Sequence, residues 1–91
     1  MSEAQVTTDH DAIRRWAEPR GGRPASVKGT ADDTGAGVLR IDFEPELAEG
    51  LELVSWNEFF EKFDAENLGF LHQDKTESGS VSRFHKFVDR R

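Results

Sequence analysis

The chain contains no cysteine. Disulfides, thiolate-bound metals and cysteine nucleophiles are therefore excluded together, and this absence fits a reducing compartment. No apolar run approaches the roughly 20 residues that span a bilayer. The leading MSEAQVTTDHD has no apolar stretch of the secretory type. A cytoplasmic location with no membrane partner is the expectation. Catalytic signatures are missing too. The Gly29 and Gly35 spacing lacks the Lys-Ser/Thr of a phosphate loop, and no serine has a nucleophile-elbow context. Asp42, Glu44, Glu46 and Glu49 can be drawn as carboxylate pairs for glycoside hydrolysis, but without a walled cleft to desolvate one of them they simply repel. A chain this short has little volume for a pocket of about 300 Å³ beside its core. The expectation is a protein that is not an enzyme and takes no cofactor.

What is present points to a small folded domain. Ninety-one residues suit one domain, and seven Phe and two Trp are more aromatic mass than a disordered chain carries. The net charge of −6 argues against a purely electrostatic nucleic-acid binder. Charge is nevertheless uneven. Arg14, Arg15, Arg20, Arg23 and Lys28 face one acid, Glu18, in the same stretch, whereas Asp42 to Glu66 holds nine acids against Lys62. Such polarity can guide association with a protein or with a second copy. The plainer reading is two solvated faces. The five basic residues are the candidate binding surface.

Residues 1–7 show no periodicity and are expected to be disordered, as are 89–91, leaving 8–88 as one domain. Thr8 or Asp9 can cap a first helix, whose face is Ile13, Trp16 and Ala17; Pro19 and Gly21-Gly22 end it near residue 19. A weak strand follows at 24–28, then a turn-rich loop at 29–37. Leu39, Ile41 and Phe43 alternate along a strand over 38–43. An acidic loop over 44–50 precedes the clearest signal in the chain. Ser55 and Glu58 form a capping box, with Val54 placed to staple onto Phe59. Trp56, Phe59, Phe60 and Phe63 then repeat at helical spacing up to Asn67. Strands at 68–73 and 81–88, joined by a turn, close the chain.

This order is α-β-β-α-β-β. Laying Thr8 over Ser55 puts Ile13 on Phe60, Trp16 on Phe63 and Gly22 on Gly69. The predicted fold is α+β: two helix-plus-hairpin units forming one antiparallel sheet with both helices on one face. An isolated hairpin is marginal in water, so each unit needs the other.

The segments TTDHDAIRRWAEPRGGRPASVKGT, VLRIDF, SWNEFFEKFDAENLGFLHQ and SRFHKFV, in this order, resemble a family of small uncharacterised bacterial proteins. The resemblance runs from Thr7 to about Val88. Some members carry the label 1,4-alpha-glucan branching enzyme. That activity does not transfer, because a barrel enzyme needs about 250 residues for the barrel alone. The chain departs from the family's pattern at Pro19, where an acidic or small residue is usual, and at His72, where tyrosine is expected. The resemblance implies a shared fold and no site residues.

Three constellations invite a ligand. Asp9-His10-Asp11 is ligand-like, but neighbours on a helix do not share a face. A helix start with an exposed histidine explains the triplet. His72 and His85 lie on strands expected to pair, with Asp74 nearby, so the register decides whether they share a face. Asp32-Asp33 lacks the spaced carboxylates of a calcium loop. The sequence thus leaves a protein-interaction module, binding a partner protein or itself. The alternative is a weak or regulatory nucleic-acid binder through Arg14–Lys28, and a third reading is an accessory domain of a carbohydrate-active enzyme.

Overall fold

The computed structural model describes residues 4–31, 35–75 and 79–90. Along the chain run β1 (Ala4–Thr7), α1 (His10–Ala17), β2 (Arg23–Val27), β3 (Leu39–Asp42), β4 (Leu51–Leu53), α2 (Trp56–Ala65), β5 (Leu68–Gln73) and β6 (His85–Asp89), with a 3₁₀ turn at Glu18–Arg20 after α1.

Both helices begin where the sequence supplies a cap. Ser55 Oγ accepts from the Glu58 amide at 3.0 Å, and Glu58 Oε1 accepts from the Ser55 amide at 3.0 Å. This reciprocal pair satisfies two of the donors that a helix start leaves open. On α1 the cap is Asp9, whose Oδ1 accepts from the Asp11 amide at 3.0 Å. Pro19 falls in the 3₁₀ turn, and Gly21 closes it at φ +78°. Gly22 is held to glycine by proximity, since a Cβ there would sit 2.8 Å from Ile41 Cγ2.

The structure corrects the single-sheet expectation. The described residues form two three-stranded antiparallel sheets, ordered β1-β5-β6 and β3-β2-β4. The repeating unit is β-α-β-β rather than α-β-β, because Ala4–Thr7 and Leu51–Leu53 are strands. Ala4–Thr7 lies in the segment expected to be disordered; it pairs with β5 from Ala4 opposite Gln73 to Thr7 opposite Phe70. The two leading strands cross over. β1 pairs with the strand after α2, and β4 pairs with the strand after α1. Each hairpin thereby gains the third strand it needs. Capping by Asp9 moves the internal match by one residue from the Thr8–Ser55 alignment. Ile13 then corresponds to Phe59 and Ala17 to Phe63, all four fully buried. The expected C-terminal tail at 89–91 also begins inside β6, which includes Asp89.

Ile13, Trp16 and Ala17 from α1, Phe59, Phe60 and Phe63 from α2, Leu39 and Ile41 from β3, and Phe70 from β5 form one apolar cluster. Trp16 meets Phe70 at 5.4 Å and Phe43 at 5.9 Å between ring centroids, so α1 reaches both sheets. Phe59 and Phe63 meet Phe87 of β6 at 6.0 and 6.5 Å. The shortest dimension is 17 Å, enough for one layer of strands and one of helices. Two stacked sheets need about 10 Å between them before any helix is added. The two sheets accordingly lie side by side beneath the helices. Among the described residues, no helix is long and apolar enough to cross a membrane.

Candidate interaction cleft

The five basic residues do not present five free charges. Arg14 lies 3.5 Å from Glu18 and 6.0 Å from the Trp56 ring centroid. Arg23 Nη2 donates to Asp42 Oδ2 at 2.9 Å and to the Glu44 carbonyl at 2.8 Å. Arg20 is the most engaged. Its guanidinium donates to the carbonyls of Ser82 (2.7 Å), Trp16 (2.7 Å) and Asp74 (2.8 Å) and lies 4.6 Å over the Trp16 ring. It ties the end of α1 to the segments flanking the β5–β6 turn. Arg15 and Lys28 are exposed. They stand on α1 and after β2, so the cluster is spread over several elements.

A cleft that the sequence did not announce lies between the two sheets. The Val27 amide donates to the Val38 carbonyl at 2.9 Å, which sets the alternation along β3. Val38, Arg40 and Asp42 turn their main-chain groups to β2, while Leu39 and Ile41 turn theirs outward. On β6, bonds from Gln73 N to Phe84 O (3.3 Å) and from Arg90 N to Asn67 O (2.8 Å) fix the same alternation. His85, Phe87 and Asp89 therefore point away from β5. These two open edges meet at one end, where the Phe43 and His85 rings are 5.6 Å apart. At the other end they part around a cleft of about 310 Å³. Thr30, Gly37, Val38, Leu39 and Arg40 line one side, Leu68 and Phe87 the other, with Lys62 and Glu66 contributed by α2. Its volume reaches the lower range of ligand pockets, contrary to the expectation of no spare room.

His72 and His85 are register partners, so their side chains share one face of the sheet, the face toward Trp16 of α1. The Trp16 ring lies 5.9 Å from His72 and 5.7 Å from His85. Among the described residues no group of three or more His, Asp or Glu converges to hold a metal. Asp32 and Asp33 lie outside the described residues. His72 Nδ1 is buried without a hydrogen-bond partner, and Asp74 Oδ1 stands 3.7 Å away. Burial pushes the His72 pKa below its usual value; Asp74 pulls it up, and Arg20 adds to the depression. A depressed histidine binds its proton more weakly in the fold than in the unfolded chain. Stability tied to His72 is thus full above about pH 6.5 and falls as the pH drops through and below that value. Urea titrations between pH 7.5 and 5 should show this slope, flattened in His72→Phe.

The sequence places His10 as an exposed histidine at a helix start. It stacks on Phe60 at 4.1 Å, and its Nε2 lies 3.0 Å from Asp64 Oδ2. Asp64 also accepts from Arg90 Nη2 at 2.9 Å. Burial raises the Asp64 pKa, but its bonds to Arg90 and His10 outweigh this and hold it below the usual value. Nothing in local spacing announces these partners, because each comes from a different element. A second open cleft of about 310 Å³, lined by His10, Asn57, Phe60, Glu61 and Asp64, lies beside them. Compared with known protein families, characterised proteins and solved structures, the chain matches none.

Proposed function

We propose that this chain is a non-catalytic protein-interaction domain that binds at the cleft between β3 and β6. The observation that carries the reading is the pair of facing open strand edges around a cleft of about 310 Å³. An unpaired edge presents a row of main-chain donors and acceptors, and proteins usually blunt or cover it. Of the outer edges, β4 has only three residues with exposed Glu52 at its centre, and β1 carries no buried side chain. At the cleft the apolar side chains Leu39, Leu68 and Phe87 are gathered instead.

The nucleic-acid alternative has less behind it. Arg14, Arg20 and Arg23 already have partners within the chain, and Trp16 is buried and unavailable for base stacking.

The test is selection of a displayed library of random linear peptides on the immobilised whole chain, with light scattering at rising concentration for self-association. The expected outcome is saturable binding, or a dimer, that is lost in Val38→Trp. Val38 is 47% exposed and lines the cleft, so the added ring blocks it without touching the core. No enriched peptide together with a strict monomer would contradict the reading.

A further inference from the structure

We propose that acid releases the clasp by which Arg20 holds the β5–β6 connection to the end of α1, with the His72 ring taking up the proton. This device is independent of what the cleft binds.

The clasp is concentrated at one guanidinium, whose three nitrogens all donate to main-chain carbonyls, those of Ser82, Trp16 and Asp74. The Asp74 carbonyl also accepts from the Ser82 amide at 3.1 Å. Ser82 is buried, its Oγ donating to Gln73 Oε1 at 2.9 Å and accepting from the Phe84 amide at 3.0 Å. Apolar burial adds little here, since Val81 and Phe84 are both largely exposed. The connection therefore stays in place mainly through polar bonds that meet at Arg20. Gln73, one residue earlier, has a separate tie, its carbonyl accepting from Trp16 Nε1 at 3.0 Å.

His72 lies against this clasp. Its ring faces Trp16 of α1, Arg20 of the following turn, Asp74 at the end of its own strand, and its register partner His85 on β6. Its register partner on β1, Gln5, is uncharged. The buried Nδ1 has no bond, and Asp74 Oδ1 is 3.7 Å from it. Protonation changes two things at once. It sets a second positive charge beside the guanidinium, and it puts a proton on both ring nitrogens, so that Nδ1 donates to the Asp74 carboxylate. Asp74 is the residue whose carbonyl Arg20 holds at 2.8 Å, and its side chain is exposed and able to turn. Repulsion of the guanidinium and attraction of Asp74 both act against that bond. Burial keeps the ring's pKa below its ordinary value; Asp74 opposes this and Arg20 adds to it. Release therefore belongs to solution more acid than about pH 6.5. The loosened connection leads into His85, whose ring meets Phe43 where the two sheets adjoin.

The experiment follows three signals by NMR on the unmodified chain between pH 7.5 and 5. They are the ring nitrogens of His72 and His85, the exchange protection of the Arg20 Nε–H, and that of the Trp16 Nε1–H, each relative to the intrinsic rate. The expected result is that the Arg20 signal loses protection at the midpoint of the His72 titration, while Trp16 keeps its protection. In Asp74→Asn the loss moves to lower pH, because the carboxylate no longer favours the charged ring; in His72→Phe it disappears. An Arg20 signal still protected at pH 5, or one that follows His85 instead, would overturn the proposal. So would loss at Trp16 in the same step, which would mean that the domain opens as a whole. Asp74→Asn changes an exposed side chain, so the test does not depend on how His72→Phe folds.

Discussion

Phe63→Ala is expected to lower the stability of the domain by about 3–5 kcal/mol, the range for truncating a fully buried aromatic residue. Phe63 is completely buried on α2, with Phe59, Phe60 and Phe87 rings 6.3 to 6.5 Å away and the Arg90 guanidinium 5.4 Å over its face. The side chain joins α2 to sheet β1-β5-β6, so its loss opens a cavity at the point where the helices bind the sheets together. Small domains have only about 5–15 kcal/mol in total, so the variant is expected to be largely unfolded or close to it. Urea titration followed by tryptophan fluorescence measures the effect. Phe84→Ala, at an aromatic position 50% exposed, serves as the contrast and should stay within about 0.5 kcal/mol of the parent chain.

Arg20→Lys should cost about 2–4 kcal/mol even though the charge is kept. The guanidinium reaches three carbonyls and covers the Trp16 ring at once. An ammonium group has neither the planar fork nor the reach to replace it. Removing charge-assisted bonds also leaves part-buried carbonyls without a donor. Arg15→Lys, on the exposed side of α1, should change nothing measurable. A large loss at Arg20 with none at Arg15 separates an anchoring arginine from a surface one. The same consideration applies to Arg23. Its partner Asp42 is 4% exposed, so charge reversal there unfolds structure before it tests any binding.

The local elements were legible because their causes are local. The Ser55–Glu58 capping box and the Phe59, Phe60, Phe63 stripe are set by spacings of three and four residues, and both are present. The Leu39–Ile41 alternation was equally readable. The strand Ala4–Thr7 was not, since its pairing depends on β5, far along the chain. Val6 is 58% exposed, so the strand carries little inward apolar pattern. The split between β3 and β6 was hidden for a related reason. Whether two strand edges join is decided by main-chain groups, which every residue possesses alike. The basic cluster shows the opposite error. Arg20 and Arg23 are close in sequence to Arg14 and Arg15, but their partners at Ser82, Asp74 and Asp42 are remote, and these turn surface charges into struts. His10 was underestimated likewise, its contacts to Phe60 and Asp64 coming from α2.

Amide hydrogen exchange of the free chain, resolved by residue, tests the open cleft most directly. If β3 and β6 are unpaired toward each other, Leu39 and Phe87 exchange readily, while Arg40 and Val88, turned toward their own sheets, stay protected. Protection at Leu39 and Phe87 equal to that of these neighbours would mean that the two edges are already joined, and the cleft would not be the binding site.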